Sequence, residues 1–276
     1  MLGKLIKHEF KVTSRWFLPI YLLVLLLAPI ERITVSMLDS GMARQLDEPW
    51  KQIAAIVFFI VSLAYALSLM AAGFSSILLI IYRFHKNLTT NEGYLMHTLP
   101  VKTSELIWSK AITGMIWTVI SGFVIILALL ILLVNNTDGF LEFLQAFRFS
   151  FDNFYELYGF EMNWFLLILE LLTGAIVGSL QHIFMIYAAI AIGQLFNQHK
   201  VLFSFLAYFG LDLALNFITN LIAIPAFHFV DLPSLDRLAE LLTTTYLPLA
   251  LAGSAFVAGV FYFITWYIFK NRLNLE

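Results

Sequence analysis

Residues 52–82 read QIAAIVFFIVSLAYALSLMAAGFSSILLIIY, a run without one charged side chain. The hydrocarbon core of a bilayer is about 30 Å thick and is crossed by about 20 apolar residues of helix. This run is long enough to cross and still reach water at an end. Two further windows, 111–137 and 241–269, are equally free of charge. Two more hold a single acid each, Glu170 within 162–198 and Asp212 within 201–230. The first window opens at Trp16 and stays uncharged as far as Ile30, so Glu31 and Arg32 are expected at its far interface.

Composition sets the same class. The chain is 61% hydrophobic and 12% charged, with a mean hydropathy of +0.88. A soluble domain carries about 25% charged residues. The apolar runs are long and continuous, not short and alternating, which selects helices over a barrel. The expected fold is all-α and integral to the membrane. It is one transmembrane permease-like domain with six spans, near 16–38, 52–82, 107–134, 163–196, 201–226 and 243–269. Basic residues precede the first run as in a signal peptide, but no small-x-small site follows, so a retained helix is expected.

Several chemistries are missing. Without cysteine there is no disulfide, thiol nucleophile or Cys-ligated metal. No G-x-x-x-x-G-K-[ST], H-E-x-x-H or G-x-S-x-G occurs, and the six histidines form no ligand pair. The expectation is a chain without catalytic residues, metal or cofactor. A net charge of −2 gives no reason for a nucleic-acid partner.

Orientation follows from Lys and Arg. Eleven would lie on one side (Lys4, Lys7, Lys11, Arg15, Arg83, Lys86, Lys102, Lys110, Lys200, Lys270, Arg272) and five on the other (Arg32, Arg44, Lys51, Arg148, Arg237). Both termini are therefore expected in the cytoplasm. The outer loop over 135–161 is aromatic and acidic and reads as an interfacial hairpin.

Two cytoplasmic segments carry further signals. In MLGKLIKHEFKVTSRWF (1–17), Lys4, Lys7, His8, Lys11 and Arg15 recur at helical spacing, opposite Leu2, Leu5, Ile6, Phe10, Thr13 and Phe17. This predicts a basic amphipathic helix over 1–15, suited to membrane-lipid headgroups, or a plain anchor. In the loop 83–110, Thr89 and Glu92 have the spacing of a capping box, Pro100 ends the short helix they would start, and Thr103 with Glu105 would open the next. That short helix would expose Tyr94, Leu95, His97 and Leu99, either to a partner or to the headgroups.

Polar residues at membrane depth are costly, about 2.5–3.5 kcal/mol for an Asp at a helix centre on insertion scales, and are functional candidates for that reason. Asp212, Asn216 and Asn220 form one stripe at four-residue spacing. Glu170, Gly174, Gly178, Gln181 and His182 mark the preceding span. Close helix packing and the lining of a transport path both fit such residues. A hairpin turning near Asn197 would bring His182 and Asp212 to the same depth and allow them to pair.

The opening MLGKLIKHEFK followed by FLPIY, and the segment FHKNLTTNEGYLMHTLPVKTSELIWSK, resemble bacterial ABC-transporter permeases of the type-2 exporter kind. The six-span layout agrees over the whole chain, the motifs over about 1–21 and 83–110. The resemblance implies a coupling helix at Glu92, Gly93, Tyr94, Leu95, His97, Leu99 and Pro100 that docks on a separate ABC ATPase subunit, which holds ATP and Mg. It also implies a second permease subunit, identical or homologous, and a place in the bacterial cytoplasmic membrane with both termini inside. The cargo it implies is apolar or amphipathic. In large exporters of this architecture the loop between spans 5 and 6 is a folded domain; here it spans only about 227–240. Two other readings remain open. One is an ion-coupled transporter using Asp212, His182 and Glu170, and the other a non-transporting scaffold or sensor.

Single cysteines test the orientation in this cysteine-free chain. An impermeant thiol reagent on intact cells should label Asp152→Cys and spare Asn87→Cys; the reverse pattern overturns it.

Overall fold

The computed structural model describes residues 2–40, 47–89, 101–133, 164–229 and 242–272, together with 141 and 145. These residues are helical, and no strand occurs among them. The helices are α1 (Leu2–Asp39), α2 (Glu48–Thr89), α3 (Thr103–Leu133), α4 (Trp164–Gly193), α5 (Lys200–Phe229) and α6 (Leu247–Asn271), the last preceded by a π turn at Leu242–Tyr246. All six are long and apolar enough to cross a membrane. The 42 residues of α2 extend for about 63 Å at 1.5 Å per residue, roughly twice the hydrocarbon core.

The basic amphipathic stretch expected over 1–15 is continuous with the first span: α1 runs unbroken from Leu2 to Asp39. No glycine or proline interrupts residues 4–18, and the Thr13 and Ser14 hydroxyls bond back to the carbonyls of Glu9 and Lys11, which keeps the turns helical. Pro19 and Pro29 lie inside the helix on its exposed side. The capping residues also move. The Thr89 hydroxyl donates to the His85 carbonyl at 2.6 Å in the last turn of α2, and Glu92, its expected capping-box partner, lies outside the described residues. The first carbonyl of α3 comes from Lys102, whose N–H is met by Glu105 Oε2 at 3.4 Å, so the cap falls one residue before Thr103.

Contacts divide the chain into two compact units. One comprises Lys7–Leu79 and Ile116–Asp152. Its buried α1 residues, Phe17, Tyr21, Val24, Ala28 and Glu31, repeat at alternating steps of four and three. Trp117 is stacked between Phe10 (4.6 Å) and Phe17 (4.3 Å). Its Nε1 donates to Thr13 Oγ1 at 2.7 Å. Further outward, the Tyr21 and Ser121 hydroxyls bond at 2.6 Å, and the Tyr65 hydroxyl donates to the Ala128 carbonyl at 3.0 Å. Lipid offers apolar surface no reason to prefer protein, so such hydrogen bonds and ring stacks are what choose one helix pairing over another.

Glu31 and Arg32, expected at the far interface, are both held by groups of the chain itself. Glu31 is only 6% exposed, accepting from Ser62 Oγ at 2.8 Å and from Thr34 Oγ1 at 3.3 Å. Arg32 Nη1 donates to the Leu132 carbonyl at 3.1 Å, in the last turn of α3, where a cation complements the helix dipole.

The other unit comprises Met1–Ile6, Ile80–Met115 and Asn153–Glu276. Its axis is α4, where every residue from Ile183 to Ala191 is buried, as a helix apolar on all sides must be. Tyr187 stacks on Phe84 at 3.7 Å, and Trp108 meets Phe184 edge-on at 5.2 Å. The expected hairpin between α4 and α5 is present: the chain turns over 194–199, with His199 in the left-handed region at φ 54°. A Cβ at Gly193 would lie 2.6 Å from the Ser204 backbone nitrogen, so only glycine permits this close approach. Asn87 is buried, so exposed Lys102 replaces it as the reporter position for the side expected to face the cytoplasm.

Trp117→Ala should cost about 3–5 kcal/mol, the range for a large aromatic removed from a packed core. Trp117→Phe removes the Thr13 bond while keeping a ring, and should cost about 1 kcal/mol. Thermal unfolding of the purified variants checks the order; equal losses would mean that the stack contributes nothing.

Candidate functional site

The seven residues expected to form a coupling helix, Glu92, Gly93, Tyr94, Leu95, His97, Leu99 and Pro100, lie outside the described residues, as does nearly all of the outer loop 135–161. The polar residues of α4 and α5 are described, and the candidate site is built from them.

Among the described residues α5 is the least covered of the six helices; 6% of its most apolar window is buried. One narrow stripe along it carries Phe205, Phe209, Asp212, Asn216 and Asn220, at steps of four, three, four and four. Asp212 is half-buried and the other four are exposed. Asp212 lies about 18 Å along the helix from Lys200, well inside the hydrocarbon depth. The stripe satisfies itself only in part. Asn216 Nδ2 donates to both the Asp212 carbonyl (3.0 Å) and its carboxylate Oδ2 (3.1 Å), and Asn220 Nδ2 donates to the Asn216 carbonyl at 2.8 Å.

The predicted pair of His182 and Asp212 is not formed as a direct contact. No hydrogen bond or ion pair joins them; the His182 ring stands edge-on to Tyr208 at 6.2 Å instead. Tyr208 precedes Asp212 by one turn, so the hairpin register sets the imidazole one turn away from the carboxylate. The two still lie near enough to interact electrostatically. Asp212 takes its bond from within its own stripe, at Asn216.

Of the other expected site residues, Gln181 is half-buried beside His182 on α4. Glu170 behaves differently. It is 8% exposed, and its Oε2 has no hydrogen-bond partner among the described residues. One turn further along, Gly174 approaches Leu251 of α6, and a Cβ there would sit 3.4 Å from the leucine methyl. Glu170 is thus held in a packed helix contact and is set apart from the α5 stripe in its exposure. No cluster of three metal-ligating side chains occurs among the described residues.

Sequence reading passed over two groups. Tyr208 was not singled out, though it lies one turn before Asp212. Glu31 was read only for its depth, although its spacing from Phe17, Tyr21, Val24 and Ala28 also put it on the buried face of α1.

Comparison with models of protein families, with curated proteins and with solved structures found no match.

A buried acceptor without a donor costs about 1–3 kcal/mol. Glu170→Met, an unbranched replacement of similar size, should therefore raise the thermal stability of the purified chain. A fall in melting temperature would show that the carboxylate has a partner it needs.

Proposed function

We propose that this chain is the membrane-spanning permease subunit of an ATP-driven exporter of the ABC type, in the bacterial cytoplasmic membrane. The observation that carries the reading is the α5 stripe. An acid and two amides at membrane depth face away from the chain's own core, on a helix that buries almost nothing. Lipid cannot satisfy such groups, so they belong beside water or another protein. A path between two permease subunits, identical or homologous, supplies both.

The sequence supports the rest. The chain has no P-loop, so ATP and Mg belong to a separate ATPase subunit. The segment EGYLMHTLPV, with Glu92, Gly93, Tyr94, Leu95, His97, Leu99 and Pro100, is where that subunit would dock. It connects α2 directly to α3, and these long helices are suited to carry a push from the cytoplasm into the membrane. ATP binding by the partner would shift the permease pair from inward to outward access, a population shift driven from outside the chain. The basic side chains Lys7, Lys11 and Arg15 at the start of α1 are exposed and suit the anionic inner leaflet. An ion-coupled transporter built on His182 and Asp212 is less well supported, because the two are not bonded.

Replacing Tyr94, Leu95 and Leu99 together with Ala should leave membrane insertion intact and abolish co-purification of the ATPase. Truncation of buried interface anchors commonly costs about 2 kcal/mol or more each. If the triple variant retains its ATPase and its cargo-stimulated hydrolysis, the segment is a simple elbow and the coupling role is wrong.

A further inference from the structure

The α5 stripe has a more specific chemistry than polarity alone. On its cytoplasmic half stand two exposed aromatic rings, Phe205 and Phe209, edge to face at 4.7 Å. Tyr208 meets Phe209 at 5.9 Å, with the rings perpendicular. One turn further on is the Asp212 carboxylate. The rings present π-faces and edges to whatever lies alongside, and the acid presents negative charge at the end of the row.

The carboxylate is under-compensated. Its one hydrogen bond is from a neutral amide, Asn216. No Lys or Arg lies between Lys200 and Arg237 in the sequence, so this helix supplies no cation of its own beyond its first residue. His182, the nearest titratable group on the adjoining helix, turns its ring to Tyr208. Among the described residues no cation is bonded to Asp212, so the occupant that complements this face is one that brings positive charge. A second copy of the same stripe does not, because it would set one Asp212 against another, and like charges at membrane depth repel strongly. Lipid tails bring no charge at all.

We propose that the face formed by Phe205, Phe209, Asp212 and Asn216 is a binding site for an organic cation with apolar substituents. The rings take the apolar groups and the diffuse positive charge by cation–π attraction, and the Asp212 carboxylate neutralises that charge at membrane depth. Such a molecule partitions into the bilayer and reaches an exposed helix face from there. This deepens, and rests on, the reading of the stripe as part of a transport path, since it assigns that path a class of cargo.

Tetraphenylphosphonium is a suitable probe, because tetraphenylborate has the same shape and the opposite charge. The full chain, reconstituted in lipid nanodiscs, should bind radiolabelled tetraphenylphosphonium saturably in equilibrium dialysis, and radiolabelled tetraphenylborate, dialysed separately, should not bind saturably. Asp212→Asn should weaken binding by about tenfold or more, as removal of one desolvated charge partner does. Asp212→Glu, which keeps the charge, should retain most of it. Changing Phe205 and Phe209 together to Leu keeps the apolar bulk, removes the π-faces, and should weaken binding several-fold. Equal binding by wild type and Asp212→Asn overturns the proposal, and so does saturable binding of the borate in its own dialysis. Binding needs neither ATP nor a partner. Asp212-dependent binding without any associated ATPase would uphold this inference and remove the exporter reading, whereas a firm ATPase complex that ignores the cation would do the opposite.

Discussion

Lipid satisfies no hydrogen bond, and that constraint governs this chain from its backbone to its side chains. For the backbone the answer is the helix, in which each N–H finds a carbonyl one turn away. For side chains the answers differ along the sequence. Between α1, α2 and α3, polar groups are spent on joining helices: Trp117 to Thr13, Tyr21 to Ser121, Tyr65 to the Ala128 carbonyl, Ser62 to Glu31. Each of these bonds is buried or half-buried and links residues distant in sequence. They are structural in the plain sense that each specifies which helix lies against which.

On α5 the same constraint is met differently. Asn216 and Asn220 bond back to their own helix, one turn earlier, and no side chain of another helix completes them. Back-bonding lowers the cost of an amide in lipid, yet each Asn has an acceptor oxygen left over, and Asp212 keeps most of its carboxylate free. A helix used only for packing would turn such residues toward its neighbours. α5 turns its half-buried flank, with Tyr208, Leu211 and Leu215, toward the apolar core of its unit and leaves the polar stripe outside. The contrast between buried, cross-helix bonding in one unit and exposed, self-bonded polarity on α5 separates architecture from function more clearly than any one residue.

Much of this was legible in the sequence. Charge-free runs longer than a bilayer is thick have one low-energy form, so helix class and span number follow from hydropathy alone. The α4–α5 hairpin was legible for the same reason, since both spans are bounded by the short polar stretch around Asn197. Other features depend on information that periodicity lacks. Whether 1–15 is a separate element turns on whether anything breaks the helix before Trp16, and the Thr13 and Ser14 back-bonds that carry it through are conformational choices. The hairpin register that puts His182 against Tyr208 depends on the close approach of Gly193 to Ser204 and on the left-handed turn at His199. A shift of one turn along α5 decides between an ion pair and a ring contact, and hydropathy is blind to it.

Glu170 and Asp212 show why an acid within a span is an ambiguous sign. Insertion scales assign both a similar cost, and the sequence spacing of each suits a path as well as a packing contact. Their surroundings part them. Glu170 is enclosed, one turn from the close approach of Gly174 to Leu251 of α6. Asp212 stands at the edge of an open aromatic face, with its charge matched by nothing on its own helix. A buried acid without a donor burdens the fold, whereas an accessible one at the same cost in lipid can be repaid each time a cation arrives. For that reason accessibility, more than the presence of charge, identifies Asp212 as the residue through which this chain meets its cargo in the proposed function.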